Sequence, residues 1–359
     1  MIVSGVTGIG LQVRREFCRG DADLFMRSAT AMFLVCAFTC SRAFAGGIVA
    51  APCEERHPMS DAWFTGPMLA NTAATAPRGH YQADSYLYDV VSQGAYGKNG
   101  KRSSAPYSNS FNSLTYLIYG VRDDLSLGFI PLAGYQRETN QPSSSGPAIG
   151  DLTTQLQRRL TQFQPCRWMP MVSLAVQQTM PTGKYDRLGD RPNDGLGQGA
   201  WTTNPELLSQ MYFWLPNRRI LRTRLNLSDA FSSTVNLHDA SVYGTANGFR
   251  GTAHPGSSFY VDASVEYSLT RRWVLAMDAT YRNTGNTRVS GTYAQATVAA
   301  PPSADVITNS GWSDAYGLAP AVEYSWKPWI GVLLGARLIP AGHNTSETIT
   351  PAVAINIAH

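Results

Sequence analysis

Segments of about ten residues in which apolar and polar side chains alternate one for one, separated by turns of strictly alternating length, constrain this chain more than any other feature. In Phe259-Tyr260-Val261-Asp262-Ala263-Ser264-Val265-Glu266-Tyr267-Ser268-Leu269 the odd positions are apolar and the even ones mostly polar. Trp273, Leu275, Met277, Ala279 and Tyr281 oppose Asp278, Thr280 and Arg282. Leu152, Leu156 and Leu160 oppose Asp151, Thr153, Gln155, Gln157 and Arg159, and Leu221, Leu225 and Leu227 oppose Arg222, Arg224 and Asn226. A period of two is that of a strand with chemically different faces. The same reading places strands near 80–90, 110–119, 125–135, 149–160, 170–180, 203–214, 220–230, 258–269, 273–283, 314–326, 329–339 and 349–358, an even number.

Short turns at 121–124, 161–168, 215–219, 270–272 and 327–328 alternate with long connections at 91–109, 136–148, 181–202, 231–257 and 284–313, and a shorter one at 340–348. A barrel in a bacterial outer membrane has this asymmetry, with short turns in the periplasm and long loops outside. Aromatic residues gather at strand ends, as girdles do: Trp273, Trp326 and Trp329 beside short turns, Tyr135 and Tyr281 near long loops. No stretch reaches the roughly 18 consecutive apolar residues of a spanning helix. Lipid offers backbone N–H and C=O groups no partner, so a sheet in a membrane must close on itself. The expected fold is all-β, a closed antiparallel transmembrane β-barrel of about twelve strands. A soluble sandwich also alternates apolar and polar residues, but it needs neither the alternating loop lengths nor the aromatic strand ends.

The N-terminal region reads differently. Residues 28–41 are uncharged and largely apolar, flanked by Arg27 and Arg42 and followed by Ala43-Phe44-Ala45, the pattern of a secretory signal peptide cleaved after Ala45. Met26 precedes Arg27, which points to a signal peptide over 26–45 and to an upstream mis-assigned start for 1–25. Residues 46–78, rich in Ala, Pro and Gly, form an N-terminal periplasmic or plug segment, and 79–359 the barrel. Of five cysteines, Cys18, Cys36 and Cys40 precede the cleavage point. Cys53 and Cys166 remain in an oxidising compartment, on the same side of the barrel, either as one disulfide or as two free thiols. The residues before Cys40 and Cys53 do not form a lipoprotein site.

Only 15% of the residues are charged, the formal net charge is +4, and no basic run grips a phosphate backbone, so nucleic acid is not an expected partner. By strand parity the lumen is faced by Gln82, Asp84, Asp151, Gln155, Gln157, Arg159, Arg222, Arg224, Asn226, Asp262, Glu266, Asp278, Glu323 and Arg337. Such a lining either passes a polar solute or is filled by its own ion pairs. Arg222 and Arg224, two apart on one face, are the candidate cationic patch; the alternative is neutralisation by Asp262, Glu266 or a neighbouring carboxylate. Trp63, Phe64 and Met68 precede the first strand and are plug candidates, either threading the lumen or covering its periplasmic mouth.

A hydrolase needs a Ser, a His and an orienting group. Of His57, His80, His238, His254, His343 and His359, only His343-Asn344-Thr345-Ser346 puts such residues close together, in an outer loop. There is no Gly-x-Ser-x-Gly elbow and no metal-ligand spacing, and Gly195-Leu196-Gly197-Gln198-Gly199 lacks the strand-loop-helix setting of a phosphate cradle. No catalytic residue, metal or cofactor is expected.

Several segments together resemble a known family. They are Asp61-Ala62-Trp63-Phe64-Thr65-Gly66-Pro67-Met68-Leu69-Ala70, Pro77-Arg78-Gly79-His80, Gly120-Val121-Arg122-Asp123-Asp124-Leu125-Ser126-Leu127-Gly128, Gly150-Asp151-Leu152 and Met180-Pro181-Thr182-Gly183-Lys184-Tyr185. Across 46–359 the chain resembles the MetA-pathway of phenol degradation family of outer-membrane barrels. That resemblance implies a Gram-negative outer-membrane location and passive passage of small hydrophobic or aromatic compounds. The implied partners are outer-membrane lipid, a small solute and the barrel assembly machinery. The chain departs from such barrels at its end, Ile357-Ala358-His359, where an aromatic, commonly Phe, is usual. A barrel without transport, serving a structural or surface-interaction role, and a barrel-embedded lipid hydrolase are the competing readings.

Overall fold

The computed structural model describes residues 58–165, 167–294 and 305–359. The signal peptide, the start assignment, and both Cys53 and Cys166 lie outside the described residues. A three-residue 3-10 turn, Met59–Asp61, is followed by irregular chain to His80 and then by strands. In order these are β1 (Tyr81–Tyr96), β2 (Arg102–Arg122), β3 (Leu125–Ile130), β4 (Leu132–Glu138), β5 (Ala148–Ile149), β6 (Leu152–Thr161), β7 (Met171–Met180), β8 (Thr202–Trp214) and β9 (Ile220–Ser232). There follow β10 (Val235–His238), β11 (Phe249–His254), β12 (Ser258–Ser268), β13 (Trp273–Thr284), β14 (Arg288–Tyr293), β15 (Asp305–Asn309), β16 (Ser313–Lys327), β17 (Ile330–His343) and β18 (Thr345–Ala358).

Each barrel strand pairs antiparallel with its neighbour, and β1 pairs with both β2 and β18, from Gln82↔Ala358 to Tyr96↔Thr345, so the sheet closes. β3 with β4, and β5 with β6, each form one staggered barrel strand, giving a twelve-stranded ring. The break between β3 and β4 falls at Pro131, which has no N–H for the ladder. The last residue completes closure: His359 and Tyr81 exchange backbone hydrogen bonds of 2.8 and 3.0 Å and their rings are 5.2 Å apart.

Outward positions such as Leu225, Val265, Leu275, Leu318 and Leu334 are exposed, whereas the inward Asp262, Glu266, Asp278 and Glu323 are 0% exposed. An apolar outer band around a polar interior is stable only in lipid. Trp273, Tyr324 and Trp326 meet at the short-turn end in tilted and edge-to-face contacts, with ring centroids 4.7 and 5.4 Å apart, as an interfacial girdle. The protein is a bacterial outer-membrane barrel.

The long connections are more ordered than their composition suggests. The segment 91–109, expected as a loop, continues β1 and β2 as a hairpin turning at 97–101, and β17 and β18 are joined through Asn344 alone. The segments 231–257 and 284–313 contain β10, β11, β14 and β15, which form a separate four-stranded sheet. Val235, Leu237, Phe249, Ala253, Val289 and Tyr293 pack on one face of that sheet with Ala200, so an apolar core sits outside the membrane while the lumen remains polar. These strands have at most three apolar alternations each, too few to stand out from a loop by period alone.

Candidate functional site

Residues 62–80 run through the periplasmic half of the lumen as an arch, and the inward polar side chains grip its backbone. The Trp63 N–H donates to the Arg271 carbonyl at 2.8 Å, with the Arg271 guanidinium 4.6 Å over the indole, which fixes the arch to the turn between β12 and β13. One Glu323 carboxylate oxygen accepts from the Thr65 N–H at 2.7 Å, the Thr65 hydroxyl at 2.9 Å and the Gly66 N–H at 3.1 Å. Gly66 has φ of 123°, a conformation that excludes a Cβ without strain. Asp278 accepts from the Met68 and Ala70 N–H groups at 3.1 and 3.2 Å.

The descending limb is held by neutral groups and one cation. Arg224 donates to the Ala70 carbonyl at 2.6 Å, Asn226 to that of Asn71 at 3.0 Å, and Gln157 to those of Thr72 and Ala74 at 3.0 and 3.1 Å. Ser173 donates to the Ala73 carbonyl, and Thr72 to the Gln210 amide oxygen at 3.1 Å. At the exit the Thr75 hydroxyl and the Arg78 N–H reach Asp123, and the Gly79 N–H donates to the Gly120 carbonyl. A Cβ on Gly120 would run into the backbone of Ala76 and Pro77. Thus the Pro77–His80 motif and the one spanning Gly120–Gly128 are two sides of a single fastening.

Of the plug candidates, Trp63 lies at the rim, Phe64 lies 4.4 Å beneath the Arg222 guanidinium, and Met68 is buried against Ala276, Ala319 and Ala352. Arg222 is ion-paired with Glu266 through two hydrogen bonds, and the Arg224 Nε lies 3.5 Å from the same carboxylate. Asp262 takes the Tyr260 hydroxyl at 3.2 Å. Arg159 stands opposite Ser173 in the ladder, half-buried.

Gln82, Asp84, Gln155, Gln157, Arg224 and Arg337 line a cavity of about 510 Å3 above the arch, with Glu206, Tyr86, Tyr88, Tyr116, Tyr260, Leu114 and Ile118. Parity reasoning missed the tyrosines, because an inward aromatic breaks the rule of apolar outside. It missed Glu206 and Gln210 because the fully buried Leu208 lies between them on the same inward face.

Asp151 does not face the cavity. It accepts the Gly183 and Gln198 N–H groups at 2.9 and 2.7 Å, while Thr182 donates to the Gly150 carbonyl and accepts from the Leu152 N–H. The Gly150-Asp151-Leu152 and Met180–Tyr185 motifs therefore form a second fastening, of the β7–β8 loop onto the rim. Asp151→Ala leaves two donors unmet, and at about 1–3 kcal/mol each this loop is expected to loosen. Limited proteolysis within 183–198 should then run faster than in the parent chain; an unchanged rate would show that Asp151 is not what holds the loop. Beside it, the Ser145 N–H donates to Asp194 at 2.6 Å and holds that carboxyl below its usual range. That tie is present at neutral pH and is lost only as pH falls through the lowered value.

His343 Nδ1 is 2.9 Å from Asp314, with Trp312 against its ring, so its polar partner is a carboxylate rather than the Ser346 hydroxyl.

No protein-family model and no curated protein matches the chain. Among solved structures it is similar to the COG4313 outer membrane channel from Pseudomonas putida F1, at TM-score 0.59 and 16% identity over 81% of this chain and 100% of that one. More distant similarities are to the NanC porin, at TM-score 0.39 and 9% identity over 77% and 98% of the two chains, and to a TodX monoaromatic hydrocarbon channel mutant, at 0.38 and 10% over 79% and 90%.

Proposed function

We propose that this barrel is a passive outer-membrane channel for small hydrophobic or aromatic compounds, entered from outside and closed toward the periplasm by the arch of residues 62–80. The observation that carries the reading is the cavity above the arch. Four tyrosines and the aliphatic side chains of Leu69, Val90, Leu114 and Ile118 line it beside amides and charges, a mixture suited to a flat apolar ring bearing one polar group. Further support comes from the motif resemblance to phenol-pathway barrels and from the Pseudomonas putida F1 channel whose fold it shares.

A structural barrel without transport is the second reading, favoured by the density of hydrogen bonds that fasten the arch. Uptake by intact Gram-negative cells with and without the protein separates the two. A labelled phenol and a hydrophilic solute of equal size are compared, with the protein confirmed in the outer membrane. Faster entry of the phenol alone is the expected result. Faster entry of both would make it a general pore, and no change in either would leave the structural role.

A further inference from the structure

The charged groups around the cavity are not equally satisfied. Asp84 accepts from the Gln82 amide at 2.7 Å and from the Asn356 amide, and Glu206 accepts from the Asn204 amide at 2.9 Å and the Asn71 amide at 3.4 Å. The arginines differ. Arg222 and Arg224 are paired with Glu266, whereas Arg282 and Arg337 form no ion pair among the described residues. Arg282 lies 4.6 Å over the Tyr260 ring and makes one hydrogen bond, of 3.4 Å, to the Ser258 hydroxyl. Arg337 has a buried Nε without a partner. Their charges act on each other and on Tyr260, and both side chains face the cavity. The carboxylate whose charge reaches Arg337 is Asp262, which is fully buried and takes its hydrogen bond from Tyr260. The stretch of wall on β13 and β17 is thus rich in guanidinium donors lacking acceptors, and is flanked on β1 and β8 by carboxylates already supplied with donors.

A guanidinium stays charged under all relevant conditions and presents five N–H donors in a plane that matches a carboxylate. We infer that the cavity contains a binding site for a small organic monoanion, whose carboxylate sits between Arg282 and Arg337 beside the Ser258 and Thr350 hydroxyls, with its ring toward Tyr86 and Tyr116. Asp84 and Glu206, on β1 and β8 to either side, already take amide donors, so the arginines are the donors left for the ligand's carboxylate and orient it. The inference rests on the channel reading for its route of entry, and it narrows the solutes to acids of the aromatic carboxylate class.

Benzoate and benzyl alcohol, matched in ring and size, test it in two ways. In intact cells the protein is expected to speed benzoate more than benzyl alcohol, and in Arg282→Gln/Arg337→Gln that ratio falls about tenfold, the equivalent of one charge-assisted contact. The pair Arg282→Lys/Arg337→Lys keeps the charge and retains part of the ratio. Purified full-length protein in detergent should retain labelled benzoate, and the Gln pair should not; the heat-modifiable migration of a folded barrel shows that each variant is native. A ratio equal in parent and Gln pair overturns the inference while leaving the channel standing, provided benzyl alcohol still enters faster with the protein present. Benzoate retained by the parent and lost in the Gln pair, with neither solute's entry dependent on the protein, supports the site and removes the channel.

Discussion

Asp278→Ala combined with Glu323→Ala is expected to free residues 65–69 from the lumen wall while leaving the barrel folded, and so to raise the conductance of the reconstituted protein severalfold. The two carboxylates receive five donors from this limb: the Thr65 N–H and hydroxyl and the N–H groups of Gly66, Met68 and Ala70. A hydrogen bond contributes roughly 0.5–1.5 kcal/mol net, so five together match or outweigh the roughly 1.5–3 kcal/mol of burying one Met side chain. Met68 therefore cannot hold residues 65–69 once the carboxylates are gone, while Trp63 stays tied to Arg271 and the Ala70 carbonyl to Arg224. The descending limb is expected to stay, because Asn226, Gln157, Ser173 and Asp123 hold it independently. A Pro67→Cys probe, in a chain whose other cysteines are Ser, should react slowly with a maleimide in the parent and quickly in the double variant. Slow labelling and unchanged conductance in a folded variant would show that the limb is held by packing, not by these two side chains.

The barrel was legible because lipid imposes one rule on every outward position. Leu221, Leu225, Val265 and Leu275 could face only lipid, so their even-numbered neighbours could face only the lumen, and Arg222, Glu266 and Asp278 followed by parity. What those residues touch was not legible. Asp278 and Glu323 bond to backbone N–H groups of a segment with no period of its own, and backbone donors leave no mark on the residue type that bears them. The short motifs did carry a signal of a different kind: Gly66 marks a positive φ, and Gly120 a backbone-to-backbone approach where a Cβ has no room. Arg282 was visible on the inward face, but its lack of a counter-charge depends on which residues of other strands it meets, and register across non-neighbouring strands is not written in any one of them. The outer four-stranded sheet was missed because its strands are short and its core draws on three separate connections.

Glu266→Ala is expected to produce the largest loss of stability of any single lumen substitution, and to do so without opening the channel first. Its carboxylate is 0% exposed and is the shared counter-charge of Arg222 and Arg224. Without it two guanidiniums are left side by side in the closed lumen, and breaking a buried pair from one side costs about 3–5 kcal/mol. The midpoint of urea unfolding should fall accordingly. Removing charge of both signs together is a different matter: Arg222→Met with Glu266→Leu leaves one cation, Arg224, still bonded to the Ala70 carbonyl at 2.6 Å, and should recover most of the loss, although Phe64 forfeits the cation above its ring. The coupling between the two substitutions in a double-mutant cycle measures the pair itself. If Glu266→Ala instead unfolds like the parent but changes ion selectivity, then Arg222 and Arg224 act as the cationic patch of an open path and not as a structural pair. The contrast with Asp278 and Glu323 is the mechanical point: those two carboxylates hold the arch to the wall, whereas Glu266 holds the wall together, and only the first kind can be given up by a barrel that must remain closed in lipid while its lumen opens.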